Sequence, residues 1–370
     1  MPSSENVSSN QNYSFVDRLI HRIAFIHPMV QRSLGGIEAD IFKSDLQPAK
    51  IDRPTFVTGL PRAGTTLMLE SFYSTQTYAT FTYRNMPFLL APLLWEKLSG
   101  GFQKKGELQE RAHRDGMEIS FDSPEAFEEV LWLNFFHDRY VDEAHLNCIP
   151  QQWITSEFVE FFEATIKKLL VVNQQKNPSG SKVNSLRYLS KNNANVSRLE
   201  SIKAVFPSSV IVVCVRDPVT HVHSLISQHQ RFLNMHDDDN FSKDYMRWIG
   251  HYDFGGNFKP LKVSDEVVSP SNVAQLTPAY WLRYWIEVYR KVMESSVKPI
   301  IVCYETLNEK PQDTLTYIAE LAEVQNSSAF IQNHTNIRGI SNKQSALDVP
   351  IELLNEAYDI YEALKIRSCR

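Results

Sequence analysis

The residues Gly59-Leu60-Pro61-Arg62-Ala63-Gly64-Thr65-Thr66 have the glycine spacing of a loop that surrounds an anion. In such a loop successive backbone N–H groups and a following helix N-terminus present fixed positive partial charge to a phosphate. Thr65 and Thr66 add hydroxyl donors. A plain strand-to-helix turn is the simpler alternative; the glycine spacing together with Pro61-Arg62 and the paired threonines argues against it. Nucleoside-triphosphate loops place lysine directly after the second glycine to reach the outer phosphates, and Thr65 stands there instead. The cation here is Arg62, two residues before Gly64 and set to reach across the mouth of the loop. That position suits a group attached to a single 5′-phosphate, as in a phosphosulfate.

The elements that must carry this loop are set by periodicity. The run TFVTGL from Thr55 breaks at Pro61 and Gly64 and passes into TTLMLESFYS, which is strand, tight loop and helix in sequence form. VIVVCV at 210–215 is a β-branched run suited to a central parallel strand buried on both faces. It ends at Arg216; Asp217 is then a natural N-cap and Pro218 a natural first helical residue, so a helix is expected over VTHVHSLISQHQRF. PIIVCY at 299–304, followed by a helix from about Gln312 to Val324, gives a third strand, and LRYLS at 186–190 a fourth. This alternation predicts an α/β fold: a doubly wound parallel sheet of the P-loop NTPase-like kind, with ligands at the carboxyl ends of the strands.

Two segments, 85–180 and 232–278, are too long for plain connections and are expected as helical insertions forming a lid. Within or beside them TSEFVEFFEATIKKLLVVNQQ and PAYWLRYWIEVYRKVM read as amphipathic helices. Trp281, Tyr284, Trp285 and Tyr289 recur at helical spacing in the second, better explained by core packing than by a sugar-stacking platform. Residues 1–12 read as a polar tail, and 13–370 as a single domain beginning with an amphipathic helix that carries Phe15, Leu19, Ile20, Ile23 and Ala24.

With 370 residues and 43% hydrophobic content the chain can bury a large core. A formal net charge of −5 argues against a general nucleic-acid binder, so an anionic ligand must meet locally placed cations. Cys148, Cys214, Cys303 and Cys369 are widely spaced with no CxxC pair, which suggests neither a zinc site nor a disulfide framework. The N-terminus lacks the pattern of a signal peptide, and no apolar run reaches the roughly 18 to 20 residues needed to cross a bilayer. A cytoplasmic protein is expected.

FVTGLPRAGTTL closely resembles the 5′-phosphosulfate loop of sulfotransferases that use 3′-phosphoadenosine 5′-phosphosulfate, and its arginine form looks like the tyrosylprotein and bacterial branches. Three further blocks agree in order. VIVVCVRDPVTHVHSL is similar to the family's 3′-phosphate block, which implies that Arg216 and Ser224 hold that phosphate; a guanidinium fork and a hydroxyl one to two helical turns on can grip it from two sides. YLSKNNANVSRLESIKAVFP resembles the stretch written K-T-P-x-N-x-x-R-L in the bacterial branch, matching at Lys191, Asn195, Arg198 and Leu199, with Asn193 in place of the proline. The resemblance makes Lys191 a catalytic candidate beside the transferred group. IIVCYETLNEKPQDTLTYIAELAEV looks like the closing strand and helix, to which a structural part is assigned. Gly59, Pro61, Arg62, Ala63, Gly64, Thr65 and Thr66 would then bind the donor, with Arg62 stabilising the leaving phosphate.

Sulfuryl transfer also needs a base for the acceptor hydroxyl or amine. RAHRDGMEISFDSPEAFEEVLW concentrates His113, Asp115, Glu118, Asp122, Glu125, Glu128 and Glu129 within the expected lid. Ser123-Pro124-Glu125 with Glu128 resembles an acidic D-x-P-x-x-x-E stretch of bacterial sulfotransferases, and Glu125 and Glu128, three apart, share a helix face. The same residues also make an ideal helix start, with Ser123 as N-cap and Pro124 at N1. Glu125, Glu128 and His113 stand as base candidates. His221 and His223, two apart on a helix, do not face together, and no metal site is expected. The tyrosylprotein branch has a base glutamate where ATFTYRNMPFLL here holds no acid, although Tyr83, Arg84 and Asn85 could line the acceptor mouth. Arg338-Gly339 faintly resembles the tail that closes over the 3′-phosphate. Relatives of this type suggest a glycan or lipid-linked sugar as acceptor.

Overall fold

The β-branched run Val210–Val215 is a strand in which all six residues are buried. In the computed structural model, which describes residues 15–99, 109–110, 118–119, 122–176, 186–268, 270–333 and 346–368, it is one of five parallel strands. These are β1 (Thr55–Thr58), β2 (Tyr78–Ala79), β3 (Arg187–Lys191), β4 (Val210–Val215) and β5 (Ile300–Cys303), side by side in the order β2-β3-β1-β4-β5. Alternate side chains feed two cores. Ile211, Val213 and Val215 join Phe56 and Cys303 on one face, while Val210, Val212 and Cys214 join Val57, Leu189 and Val302 on the other.

Fifteen α-helices are present among the described residues, including those labelled α1 (Phe15–Ala24), α2 (Thr65–Tyr73), α3 (Glu129–Tyr140), α4 (Ser156–Lys176), α5 (Pro218–Asp238), α6 (Pro278–Glu294), α7 (Pro311–Leu321) and α8 (Ile351–Ser368). The first core takes its aromatic and aliphatic residues from α3, α4, α5, α6 and α8; the second takes Met68, Leu69 and Phe72 from α2 and Leu315, Ile318 and Ala319 from α7. Helices on both faces of a parallel sheet make the fold doubly wound α/β. Trp281, Tyr284, Trp285 and Tyr289 are buried in the first core, as a repeating helical face requires. Among the described residues no helix is long and apolar enough to cross a membrane.

Register places the functional ends level. Val57 pairs with Lys191 on one side and Val212 on the other. The loop after β1, the end of β3 and Arg216 after β4 therefore emerge from one edge of the sheet. That edge is the carboxyl end, where the chain leaves β1 for the face of the second core and leaves β3 and β4 for the face of the first.

Two expectations change. Residues 123–127 do not start a helix: α3 begins at Glu129, and Pro124 forms an antiparallel bridge with Thr82. Glu125 N donates to Phe81 O at 3.0 Å and Tyr83 N to Ser123 O at 3.4 Å, so a strand-like pairing with a distant segment overrides the local cap. Position 232 is likewise not a boundary, because α5 continues to Asp238. Its N-terminus is as expected, with Asp217 Oδ1 accepting from Thr220 N at 2.9 Å and Pro218 in the first turn. Residues 1–14, the tail included, lie outside the described residues.

Candidate active site at the carboxyl edge of the sheet

The loop between β1 and α2 depends on its glycines. Gly59 has φ +134°, and a Cβ there would stand 2.4 Å from the Cys214 carbonyl oxygen. Gly64 has φ +93°, and a Cβ would meet the Tyr304 ring at 2.9 Å. Between them Arg62 holds φ +72°, a left-handed conformation that costs a residue with a Cβ about 1–2 kcal/mol. The surroundings hold it there. Arg216 Nη1 donates to the Arg62 carbonyl at 3.2 Å, and Arg62 Nε donates to Ser224 Oγ at 3.3 Å. Ala63 is buried beneath the loop. Thr65 and Thr66 open α2, so their N–H groups have no carbonyl partner within the helix.

A buried relay fixes the next carbonyl. Trp285 Nε1, which can only donate, gives its hydrogen to His221 Nδ1 at 3.1 Å, so His221 carries its own on Nε2 and donates to Pro61 O at 2.8 Å. Burial pushes the His221 imidazole down to about 3, which keeps it neutral and the relay intact across ordinary pH. Nearby, the Arg216 guanidinium lies 5.0 Å from the centre of the Tyr304 ring. Its Nε is buried and has no hydrogen-bond partner among the described residues.

A cleft of about 530 Å³ opens over the loop, lined on the sheet side by Pro61, Arg62, Thr65, Thr66, Lys191 and Asn193. Lys191 is the last residue of β3 and only 8% exposed. Asn193, where the resembling motif has proline, uses its amide: Oδ1 accepts from Thr65 Oγ1 at 3.4 Å and Nδ2 donates to Asp253 Oδ2 at 3.1 Å. The opposite wall is Gln228 and Phe232 of α5 with His251, Asp253 and Phe254. Burial raises the Asp253 carboxyl above its ordinary range, with the Asn193 hydrogen bond and the Lys191 charge opposing that rise.

His251 and Asp253 are functional candidates that sequence reasoning misses. They sit in Gly250-His251-Tyr252-Asp253-Phe254-Gly255-Gly256, whose density of glycine around two proton-transfer groups is the available signal. Gly250 at φ +80° and Gly255 at φ +68° give the segment its bends. α5 holds it from behind: His229 Nδ1 accepts from Gly255 N and His236 Nδ1 from Gly256 N, both at 3.1 Å.

The structure brings Arg62, Thr65, Thr66 and Lys191 to one cleft with Ser224 and Arg216 behind Arg62. It does not bring the acids of 122–129 there. Glu128 is 1% exposed and accepts from Trp132 Nε1 at 3.0 Å, Asn195 Nδ2 at 2.9 Å and Tyr188 OH at 2.9 Å. Glu129 pairs with buried Arg198 and accepts from Asn192 Nδ2 at 2.6 Å. These two acids thus anchor the loop after Lys191, and the expectation that Glu128 points into the cleft is corrected by its closed hydrogen-bond shell. Glu125 is 4% exposed, accepting from Tyr83 OH at 2.6 Å and Ala126 N at 2.8 Å, and does not line the cleft. Arg84 grips Asp122 through two hydrogen bonds of 2.7 and 2.9 Å, and Asn85 Oδ1 accepts from Thr82 N at 2.8 Å. Tyr83 and Arg84 therefore brace segment 122–125, Asn85 caps its own turn, and none of the three lines the cleft. His113 and Arg338-Gly339 lie outside the described residues.

Comparison with known proteins points the same way as this geometry. Among solved structures, sulfotransferase STF9 from Mycobacterium avium superposes over 96% of this chain and 87% of its own, with a TM-score of 0.50 and 14% identity, which speaks to the fold. STF1 from Mycobacterium tuberculosis H37Rv matches over 95% and 88% (TM-score 0.45, 12% identity). The sulfotransferase domain of the Synechococcus PCC 7002 olefin synthase matches over 86% and 96% (TM-score 0.35, 12% identity). No curated protein matches the chain. The model of the sulfotransferase family, however, matches residues 54–260, from the residue before β1 to just beyond Asp253. Since that span is more than half of the 370 residues and contains the whole cleft, the chain belongs to the sulfotransferase family.

Proposed function

We propose that the protein transfers a sulfuryl group from 3′-phosphoadenosine 5′-phosphosulfate to a hydroxyl or amine acceptor. The observation that carries this reading is the meeting at Arg62 of two arrangements whose chemistry suits phosphate. One is the loop Gly59–Thr66, which has Thr65 where a triphosphate loop has lysine. The other is the pair Arg216 and Ser224, both hydrogen-bonded to Arg62 and far from the loop in sequence.

In this reading the donor supplies an activated sulfuryl group, and the protein supplies placement and charge. The N–H groups of Thr65 and Thr66 with their hydroxyls bind the 5′-phosphate, helped by the positive end of α2. Arg216 and Ser224 take the 3′-phosphate, a guanidinium fork and a hydroxyl gripping it from two sides. Arg62 and Lys191 line the cleft where negative charge grows on the departing phosphate and the sulfuryl oxygens, and fixed cations there favour the transition state over the ground state. A glycan or lipid-linked sugar is a suitable acceptor class for a cleft bounded by inserted segments, and residues 13–370 act in this reading as one domain.

Calorimetry with 3′-phosphoadenosine 5′-phosphate, 5′-AMP and Mg·ATP tests the donor. The first is expected to bind at least about tenfold tighter than 5′-AMP, since a charged hydrogen-bonded phosphate contributes on the order of 1.5–3 kcal/mol. Arg216→Ala should erase the difference while leaving the fold intact. Equal affinities for the two nucleotides, or tight Mg·ATP binding, would sink the reading.

A further inference from the structure

We infer that Asp253 is the catalytic base, taking the acceptor's proton on the carboxylate oxygen that Asn193 leaves free. This assignment rests on the sulfotransferase reading above.

Asp253 is the one carboxylate among the described residues that line the donor cleft. Glu125 and Glu128 are turned away into buried hydrogen bonds with Tyr83, Trp132, Tyr188 and Asn195, and Glu129 is held by Arg198 and Asn192. Asp253 also borders a second cavity of about 390 Å³, together with Glu129, His251, Asn192, Asn193 and Lys259; Glu129 there is engaged by Arg198 and Asn192. No residue of the loop Gly59–Thr66 lines that second space. Asp253 thus stands on the partition between a space walled by the donor loop and one that is not. An in-line nucleophile must approach from the side away from the leaving phosphate; the second cavity is assigned that approach because the donor loop does not wall it.

Orientation is built in. Asn193 Nδ2 binds Asp253 Oδ2, and among the described residues this is the only side-chain hydrogen bond that the carboxylate accepts. Oδ1 is left for the acceptor. Asn193 is itself tied to the donor loop through Thr65 Oγ1, so loop, amide and carboxylate form one connected set. The backbone carrying Asp253 is held by His229 and His236 of α5, the helix that also bears Ser224.

In the step itself the acceptor oxygen forms a bond to sulfur as the bond from sulfur to the bridging phosphate oxygen breaks. That electron pair stays on the phosphate of 3′-phosphoadenosine 5′-phosphate, and the acceptor proton moves to Asp253 Oδ1 and then to solvent. A carboxyl raised above its ordinary range by burial is a stronger base than an exposed one. The charged and titratable groups around it are Lys191, Glu129, Tyr140 and Tyr284, with Arg62 and His251 in the donor cleft and Tyr252 and Lys259 in the second cavity.

Water serves as the test acceptor, and the reaction followed is release of sulfate and 3′-phosphoadenosine 5′-phosphate from the phosphosulfate donor. Asp253→Asn and Asp253→Ala should each slow release by about 100-fold or more, the usual contribution of a general base. Affinity for 3′-phosphoadenosine 5′-phosphate should stay within about threefold of wild type. Added formate should restore part of the Asp253→Ala rate, and the acid limb of the pH profile should vanish in both variants. A merely structural aspartate gives no formate rescue. Wild-type rates in either variant overturn the assignment, as does loss of nucleotide affinity in parallel with rate. An acid limb that survives in Asp253→Asn but disappears in His251→Asn moves the base to His251. Tight nucleotide binding by wild type with no sulfate release also counts against Asp253, since a base aimed at the sulfuryl group activates water as it does an alcohol. Failure of the donor reading looks different: wild type then shows no preference for 3′-phosphoadenosine 5′-phosphate over 5′-AMP.

Discussion

At the scale of single residues, burial separates the acids that build the site from the one that faces it. Glu128 receives three hydrogen bonds in a setting with 1% exposure, and each buried donor left without an acceptor costs about 1–3 kcal/mol. Glu128→Ala is therefore expected to destabilise the protein by several kcal/mol, and Glu128→Gln, which keeps one acceptor oxygen, by less. Urea unfolding of the two variants beside wild type measures this; a change in turnover with unaltered stability would make Glu128 a base candidate again. Glu129 paired with Arg198 behaves alike, since breaking a buried pair costs about 3–5 kcal/mol. The richness of 122–129 in acids is plain from the sequence. Which way each acid points depends on Tyr83, Tyr188 and Asn195, partners from other segments that no local pattern reveals.

At the scale of elements, α5 ties the donor loop to the opposite wall of the cleft. Its first turns carry His221, bonded to the Pro61 carbonyl, and Ser224, bonded to Arg62; its later turns carry Gln228 and Phe232 on the cleft and His229 and His236 behind Gly255 and Gly256. His221→Phe removes the donor to Pro61 O, so the loop loses a buried hydrogen bond worth about 1–3 kcal/mol in the bound geometry. Affinity for 3′-phosphoadenosine 5′-phosphate should fall about tenfold, with a smaller loss in Trp285→Phe, which frees the choice of tautomer but keeps the ring. Calorimetry on both variants is the check, and unchanged affinity in His221→Phe would show that the loop holds its shape without the relay. The helix itself is legible from Asp217-Pro218 and its apolar spacing, and the four longer strands from their apolar runs. The helix expected from Ser123 is absent, because pairing of 81–83 with 123–125 joins chain segments about forty residues apart. The approach of segment 250–256 to the cleft is hidden from the sequence for the same reason: it depends on His229 and His236 and on the fold that brings them round.

At the scale of the whole molecule, the neutral histidines of α5 give stability a pH dependence of predictable sign. His221, His229 and His236 all have pKa values lowered chiefly by burial, His221 to about 3 and His236 to about 4. The unfolded chain binds protons at these sites near pH 6.5 while the folded chain does not, so stability is full above that value and is lost as pH falls through the window down to the folded pKa. For His221 and His236, whose folded values lie below 5, the slope is about 1.4 kcal/mol per pH unit, or about 2 kcal/mol lost by pH 5. Glu38, Asp253 and Glu305 act oppositely, because burial raises their carboxyl pKa values and the folded chain takes up protons at higher pH than the unfolded one. The net curve mixes the two. Comparing wild type with His236→Gln removes the carboxyl contributions, which both proteins share, and leaves the share of one histidine. The difference in unfolding free energy between pH 7 and pH 5 should be smaller in the variant by about 2 kcal/mol. Urea titrations at the two pH values measure it, and equal differences in the two proteins would mean that His236 takes up its proton in the folded state as readily as in the unfolded one. In that event Gly256 N would lose its acceptor on acidification without cost, and the hold of α5 on the segment bearing Asp253 would rest on His229.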